Sequence, residues 1–444
     1  MKRRHLLKYG TFAACGYGLA ACQNLPAFKN SVTTEPPQPQ PLMTVANPAR
    51  LGRPEKTKLA LGYAPTISVL PWLVAIEAGF FEQFGLEVSL YKQPNMAEVE
   101  RGLLESRFDA AITPFSLPLM NQLKNPRIDF VALMQLHRHG GVFTLSQDSW
   151  NNKVRSSIDY TNFEEFKRDY RDYVRALPNR SFGVDSLYST SAYLYRYWWA
   201  AMGFHPELDI ELEEFAPSEL PHKLQAKAVH GYCSLEPWAQ EAVKKRQGYI
   251  GYLSSEVWRG HPGSVVTTDA GWVKENPNTA KLLIAASLMG CQYCQDSANA
   301  EAIAALASEP LDTHRSNIQT VLDGRYFYGG DGDRPISRKD SPIWFDLGKR
   351  LKAPDHANYC WHSHGIWLLT QMARWQHFGL TSYPDNADTL VAAAYPNDPY
   401  KEVAEAFEIK LPPDPLQPEP PFVDQRRFMP DQPVRYLNQF KIRT

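Results

Sequence analysis

Two stretches carry side chains that could bind a metal or attack a substrate. "CWHSHG" (360–365) sets Cys360, His362 and His364 within five positions, and "CQYC" (291–294) places Cys291 and Cys294 three apart. A structural zinc site needs four such ligands in a tetrahedron. A Cys–His hydrolase needs an exposed thiol with a depressed pKa. "CQYC" lies in an Ala/Leu-rich helical run, where cysteine usually serves as a small buried residue. A Cys291–Cys294 disulfide is possible in an oxidising compartment, but an i, i+3 bridge strains a regular helix, so free thiols are favoured. The chain has no G-x-S-x-G, H-E-x-x-H or P-loop. Neither catalysis nor a metal nor a cofactor is expected.

Chemistry of a different kind is available at helix starts, where backbone N–H groups and the helix dipole favour small anions. Thr66 and Ser68 follow the first strand and open a helix, with Ser68 as N-cap and Pro71 in the first turn. Ser189, Thr190 and Ser191 open "SLYSTSAYLYRYWW", read as amphipathic. "QLHRHGG" (135–141) follows a strand and is rich in donors, and Gln135 can donate to an anion without needing protonation.

The elements that must position these groups alternate between strand and helix. "KLALGYA", "LEVSLYK", "FDAAITP", "IDFVALMQL" and "GGVFTLS" read as strands, with helices at "TISVLPWLVAIEAGFF" and "NMAEVERGLLESR". In the first of these helices, Leu73, Ile76 and Phe80 share a face. A charged stretch at 148–180 carries a capping box from Thr161 to Glu164 and an apolar stripe of Phe163, Phe166, Tyr170, Tyr173, Val174 and Leu177. A second strand–helix unit begins at "SFGVDSLYS", and a mainly helical region follows "NPNTAK". The tail from Leu411 has eight prolines in 34 residues and should wrap over the surface. This alternation marks an α/β protein. Two such units imply two lobes, with a ligand outside the carboxyl ends of the strands and hinge closure around it.

The chain has 444 residues, 47 Lys plus Arg against 48 acids, and 43% hydrophobic residues, which fits a globular protein with no nucleic-acid partner. Its start, "MKRRHLLK", resembles a twin-arginine export signal. "LAAC" (19–22) looks like a lipobox with Cys22 as the lipid attachment site, and the apolar run before it is too short to span a bilayer. Residues 1–22 are read as signal and 23–57 as a Pro-rich tether. Lobe 1 is expected at 58–147, lobe 2 at 148–247 with an insertion at 148–180, and a return to lobe 1 with the wrapping tail at 248–444.

Several longer segments resemble the nitrate- and bicarbonate-binding lipoproteins of ATP-binding-cassette (ABC) importers, within the nitrate/sulfonate/taurine group of type II periplasmic binding proteins. They are "LGYAPTISVLPWLVAIEAGFFEQFGLEVSL", "LESRFDAAITPFSLPL", "GYCSLEPWAQEAV", "SSEVWRGHPGSVVTTDAGWVKENPNTAKLLI", "CWHSHGIWLLTQMARW" and "RFMPDQPVRYLNQF". The resemblance runs from about residue 58 to the end. It implies a two-lobed type II periplasmic-binding-protein fold and makes His364 a fold position, with Cys360 and His362 incidental. It also implies a lipid-anchored receptor on the periplasmic side of the membrane, delivering a small molecule or inorganic anion such as nitrate, nitrite or bicarbonate to an ABC permease.

The same resemblance aligns Gln135, His139 and Gly140 with a pocket-lining segment, and Glu236 and Trp238 with the second-lobe cleft. Met96 stands near a tryptophan of the nitrate binders, Ser191 where they carry a histidine, and Ser264 where they carry a lysine. Bicarbonate binders place an acid in that lysine's role, so Ser264 supplies neither charge. With these contacts replaced, two alternatives stay open: a receptor for a different organic or neutral solute, read by hydroxyls and by Trp72 and Tyr188, or a solute sensor. The candidate ligand set is Thr66, Ser68, Met96, Gln135, His139, Gly140, Thr190, Ser191, Glu236, Trp238 and Ser264.

Overall fold

A computed structural model describes residues 44–125, 127–330, 335–337, 343–346 and 356–444. The export signal, Cys22 and the tether as far as residue 43 lie outside the described residues. The strands that matter for the site are β1 (Lys58–Tyr63), β2 (Glu87–Lys92), β3 (Ala110–Pro114), β4 (Phe130–Gln135), β5 (Arg138–His139), β6 (Gly141–Ser146), β7 (Ser181–Val184), β8 (Glu211–Glu214), β9 (Gly231–Leu235), β10 (Gly248–Leu253) and β11 (Ser264–Asp269).

They form two five-stranded sheets, of order β2-β1-β3-β11-β4 and β10-β6-β9-β7-β8. β1 pairs in parallel with β2 and β3, while β11 runs antiparallel to β3 and β4. In the second sheet β7 pairs in parallel with β8 and β9, and β6 is antiparallel to β9 and β10. β4, "FVALMQ", is buried along its whole length, as a near-continuous apolar strand covered on both faces should be. β6 and β10 both belong to the second sheet, so the chain crosses between sheets at 136–140 and 254–263 rather than at the expected 147 and 247. The first crossing turns on His139 and Gly140, whose φ values of 63° and 91° lie in the left-handed region.

The helix Leu70–Glu77 packs on the helix Pro277–Gln295, and Trp72 Nε1 donates to Ser287 Oγ at 2.9 Å. At their crossing a Cβ on Gly290 would lie 2.1 Å from the Pro71 carbonyl oxygen, so only glycine permits this approach. Ser68 is not the N-cap of this helix. It sits inside the 3-10 turn Ile67–Val69, and its hydroxyl is turned to other work, described below. Nor do Leu73, Ile76 and Phe80 share a buried face: Ile76 is exposed, Phe80 lies past a left-handed Gly79, and the buried set is Leu70, Pro71, Trp72, Val74 and Ala75. The capping box at 161 moves one residue. Asn162 is the N-cap of Phe163–Arg175, accepting from Glu165 N, and Glu165 reaches back to Thr161 N. The stripe beyond it packs as expected, with Phe166, Tyr170 and Val174 buried and Phe163, Tyr173 and Leu177 against the same core.

The helix Thr190–Met202 is not amphipathic. All its residues except Ala201 are buried, because the helix Phe163–Arg175, the second sheet and the C-terminal region enclose it on every side. The helix His362–Arg374 touches both Ser116–Lys124 of the first lobe and Thr190–Met202 of the second. The tail does more than wrap. Phe422, Phe428 and Phe440 are buried, Val423 N donates to Val257 O at 2.9 Å, and Tyr436 Oη lies 3.3 Å from Tyr197 Oη.

Candidate functional site

A cleft of about 520 Å³, counted to its open mouth, lies outside the carboxyl ends of β1, β3, β7 and β9. The first lobe lines it with Ala64, Thr66, Met96, Ile112, Pro114, Gly263 and Ser264. The second lobe contributes Asp185, Ser186, Ser189, Thr190, Ser191, Pro217 and Leu235. Parallel strands deliver their following loops to one edge of a sheet, so two sheets facing each other bring these loops together.

On the first-lobe wall the hydroxyls form a chain. Ser68 Oγ lies 2.8 Å from Ser264 Oγ and 2.8 Å from His137 Nε2, and Thr66 Oγ1 donates to it at 3.3 Å. His137 is fully buried, and burial lowers its pKa to about 4, so the imidazole is neutral at physiological pH. On the opposite wall Ser189 caps the helix Thr190–Met202 by accepting from Ala192 N at 3.1 Å. Asp185 sits beside that helix start. Its Oδ2 accepts from Leu235 N and from Ser234 Oγ, each at 3.2 Å, and its Oδ1 accepts from Ser189 Oγ at 3.4 Å. Burial raises its pKa to about 6 against the opposing pull of these bonds. Among the described residues that line the cleft there is no Lys, Arg or His.

Thr66, Met96, Thr190, Ser191 and Ser264 thus come together as lining residues, and Ser68 supports them from behind. The other candidates do not reach the cleft. Gln135 donates its amide to Ala357 O at 2.7 Å; β4 is the edge strand, with β11 between it and β3. His139 Nε2 accepts from Gly260 N at 2.6 Å, and its ring packs on Trp344 at 4.1 Å. Gly140 is a turn residue whose carbonyl accepts from Glu236 N. Glu236 is buried and accepts from Gln240 N, and Trp238 Nε1 donates to Pro65 O at 2.8 Å. Trp72 is spent on Ser287, and the Tyr188 carbonyl accepts from Ser116 Oγ at 2.7 Å while its ring packs on Phe378 and Lys124. The residue that sequence reasoning missed is Asp185. Its signal was an acid directly after a strand and four residues before a serine N-cap.

Two of these hydrogen bonds, Trp238 Nε1 to Pro65 O and Ser116 Oγ to Tyr188 O, join the lobes beside the cleft, as does a third from Ile67 N to Glu236 O at 2.8 Å. The cysteine-histidine stretch does other work. Cys360 is buried, and burial pushes its thiol pKa up, opposite to what a nucleophile needs. His362 Nε2 lies 3.0 Å from Tyr395 O, and His364 Nε2 lies 3.4 Å from Glu419 Oε1 between Phe115 and Trp258. Cys291 and Cys294 are free and buried. Among the described residues no group of three or more His, Cys, Asp or Glu is placed to hold a metal ion.

Two facing sheets with a hydroxyl-lined cleft at their strand ends define a two-lobed α/β protein. The chain belongs to the NMT1-like family, whose model matches residues 52–308. It is 24% identical over 453 residues to the nitrate/nitrite binding protein NrtA of Nostoc sp. PCC 7120, covering 100% of this chain and 98% of that one. It is 27% identical over 393 residues to the bicarbonate transport ATP-binding protein CmpC of Synechocystis sp. PCC 6803; these span 87% of this chain but 55% of CmpC, so the match is to about half of that relative. In structure it resembles the crystal structure of the periplasmic nitrate-binding protein NrtA from Synechocystis PCC 6803, with a TM-score of 0.78 and 24% identity over 88% of this chain and 100% of that one. The fold is accordingly the two-lobed α/β fold of periplasmic binding proteins.

Proposed function

We propose that this protein is the receptor of an ABC importer, capturing a small solute between its lobes and passing it to a membrane permease, with no catalysis of its own. The observation that carries this reading is the cleft at the strand ends, walled by hydroxyls from both lobes. The relatives support it. NrtA is named for nitrate and nitrite binding, and the CmpC match joins the same kind of sequence to an ATP-binding transport protein. Periplasmic location, export by the twin-arginine route and anchoring through a lipid on Cys22 complete the proposal. Capture of a different organic or neutral solute is favoured by one feature, the Asp185 carboxylate in a cleft whose described lining residues include no cationic side chain. The test is calorimetric titration of the dialysed full chain with small anions and small neutral solutes, followed by reconstitution with the ABC permease in proteoliposomes. Saturable one-to-one binding that raises ATP hydrolysis is the expected result. Binding with no effect on the permease would favour a sensor, and no binding would refute a receptor.

A further inference from the structure

Resting on that receptor reading, we infer that the captured solute is a small uncharged or cationic molecule presenting N–H donors to Asp185, such as an amide, an amidine or a protonated amine, and not an inorganic oxyanion. Nitrate, nitrite and sulfonates carry only acceptors, and a carboxylate is an acceptor too. Facing each other in a closed cleft, two such groups repel, and the repulsion grows as water leaves. A cationic side chain could bridge them, but none is among the described residues that line the cleft. The guanidinium of Arg196 is engaged by Glu207 at 2.5 Å and by the Leu187 carbonyl at 2.6 Å, and His137 is neutral behind Ser68.

The start of the helix Thr190–Met202 is where an anion would be favoured. Asp185 stands beside that place, its Oδ1 accepting from the N-cap Ser189 Oγ at 3.4 Å, so an incoming anion would meet a carboxylate there. It is 8% exposed, and its Oδ2 is satisfied by Leu235 N and Ser234 Oγ. Among the described residues its Oδ1 has only the 3.4 Å contact with Ser189, so it retains accepting capacity toward the cleft. Glu214 adds further negative potential nearby. A second group awaits a partner. Thr190 Oγ1 is buried, at 3% residue exposure, and has no hydrogen-bond partner among the described residues. A buried polar atom in that state calls for a ligand group or an ordered water. Opposite stand the hydroxyls of Thr66 and Ser264, and Met96, Ile112 and Leu235 supply apolar wall. A solute that donates to Asp185, bonds the hydroxyls and lays carbon on the apolar wall satisfies all of these at once.

The test titrates the dialysed full chain at pH 7.5 with acetamide, urea, acetamidinium and methylammonium, and separately with nitrate, nitrite, bicarbonate and methanesulfonate. The expected result is binding of at least one N–H probe, weakened about tenfold or more in Asp185→Asn, whose melting temperature falls no lower than wild type. Thr190→Val should weaken the same probe without changing the fold, which separates a lost contact from a lost structure. Binding of the anions alone overturns the inference and leaves the receptor reading standing. That includes bicarbonate, whose O–H could donate to Asp185 in place of an N–H. Binding of neither class overturns both.

Discussion

Glu236 offers a quantitative check on the packing between the lobes. Its carboxyl is completely buried, and burial raises its pKa from an ordinary 4.5 to about 7, against the hydrogen bond from Gln240 N. The sign follows from proton counting. Between pH 4.5 and about 7 the unfolded chain has lost this proton while the folded chain keeps it, so stability falls as pH rises through that window. Above about 7 both states are ionised and the whole penalty is present. The gap corresponds to about 3 kcal/mol. Glu236→Gln removes the charge and retains an oxygen to accept from Gln240 N. The variant should therefore match wild type at pH 4.5 and exceed it by about 3 kcal/mol at pH 8. Urea unfolding of both chains at half-unit steps from pH 4.5 to 8.5 measures the difference directly. Because Asp185 titrates in both chains, subtraction isolates Glu236. Two curves that stay parallel across the range would refute the reasoning.

Gly290→Ala should destabilise by about 1–3 kcal/mol in chemical unfolding, despite alanine's better helix propensity, because its Cβ would meet the backbone of Pro71; unchanged stability would mean that the two helices can separate at no cost. The buried thiols of Cys233, Cys291, Cys294 and Cys360, all with pKa values pushed up by burial, should resist iodoacetamide at pH 7 and react only after unfolding, as read by peptide mass spectrometry. Phe422→Ala should cost about 3–5 kcal/mol, since this ring packs on Tyr197, Trp258 and Trp367; a loss below about 1 kcal/mol would make the tail a passive cover.

Most of the strands were legible as apolar or alternating runs bounded by turn residues, and the two strand–helix units, together with the family resemblance, implied two lobes. What was not legible was the pairing across the sheets. β6 follows β4 after a few residues and reads as a continuation of the first lobe, but a left-handed pair at 139–140 carries it into the second sheet. The site divides in the same way. Thr66, Thr190 and Ser191 could be placed because they stand directly after a strand or at a helix start that faces the cleft, and Ser264 through the resemblance. Gln135 and His139 are equally polar and equally close to a strand end, but they belong to an edge strand and a crossing, and their partners are the carbonyl of Ala357 and the amide of Gly260. Nothing local distinguishes the two kinds of position. Asp185 is not among the sequence candidates, although it directly follows β7 and precedes the serine N-cap by four residues.

The C-terminal region reaches both lobes, through the helix His362–Arg374 and through aromatic rings set against Tyr197. Together with the three hydrogen bonds beside the cleft, it works as a buttress. On the receptor reading proposed above, lobes held in this way would spend little conformational entropy on capture. They would do so at the expense of exchange. On that reading, solute would leave through local openings in which Trp238 Nε1, Ile67 N and Ser116 Oγ release their acceptors, so this region would bear on residence time as well as on affinity.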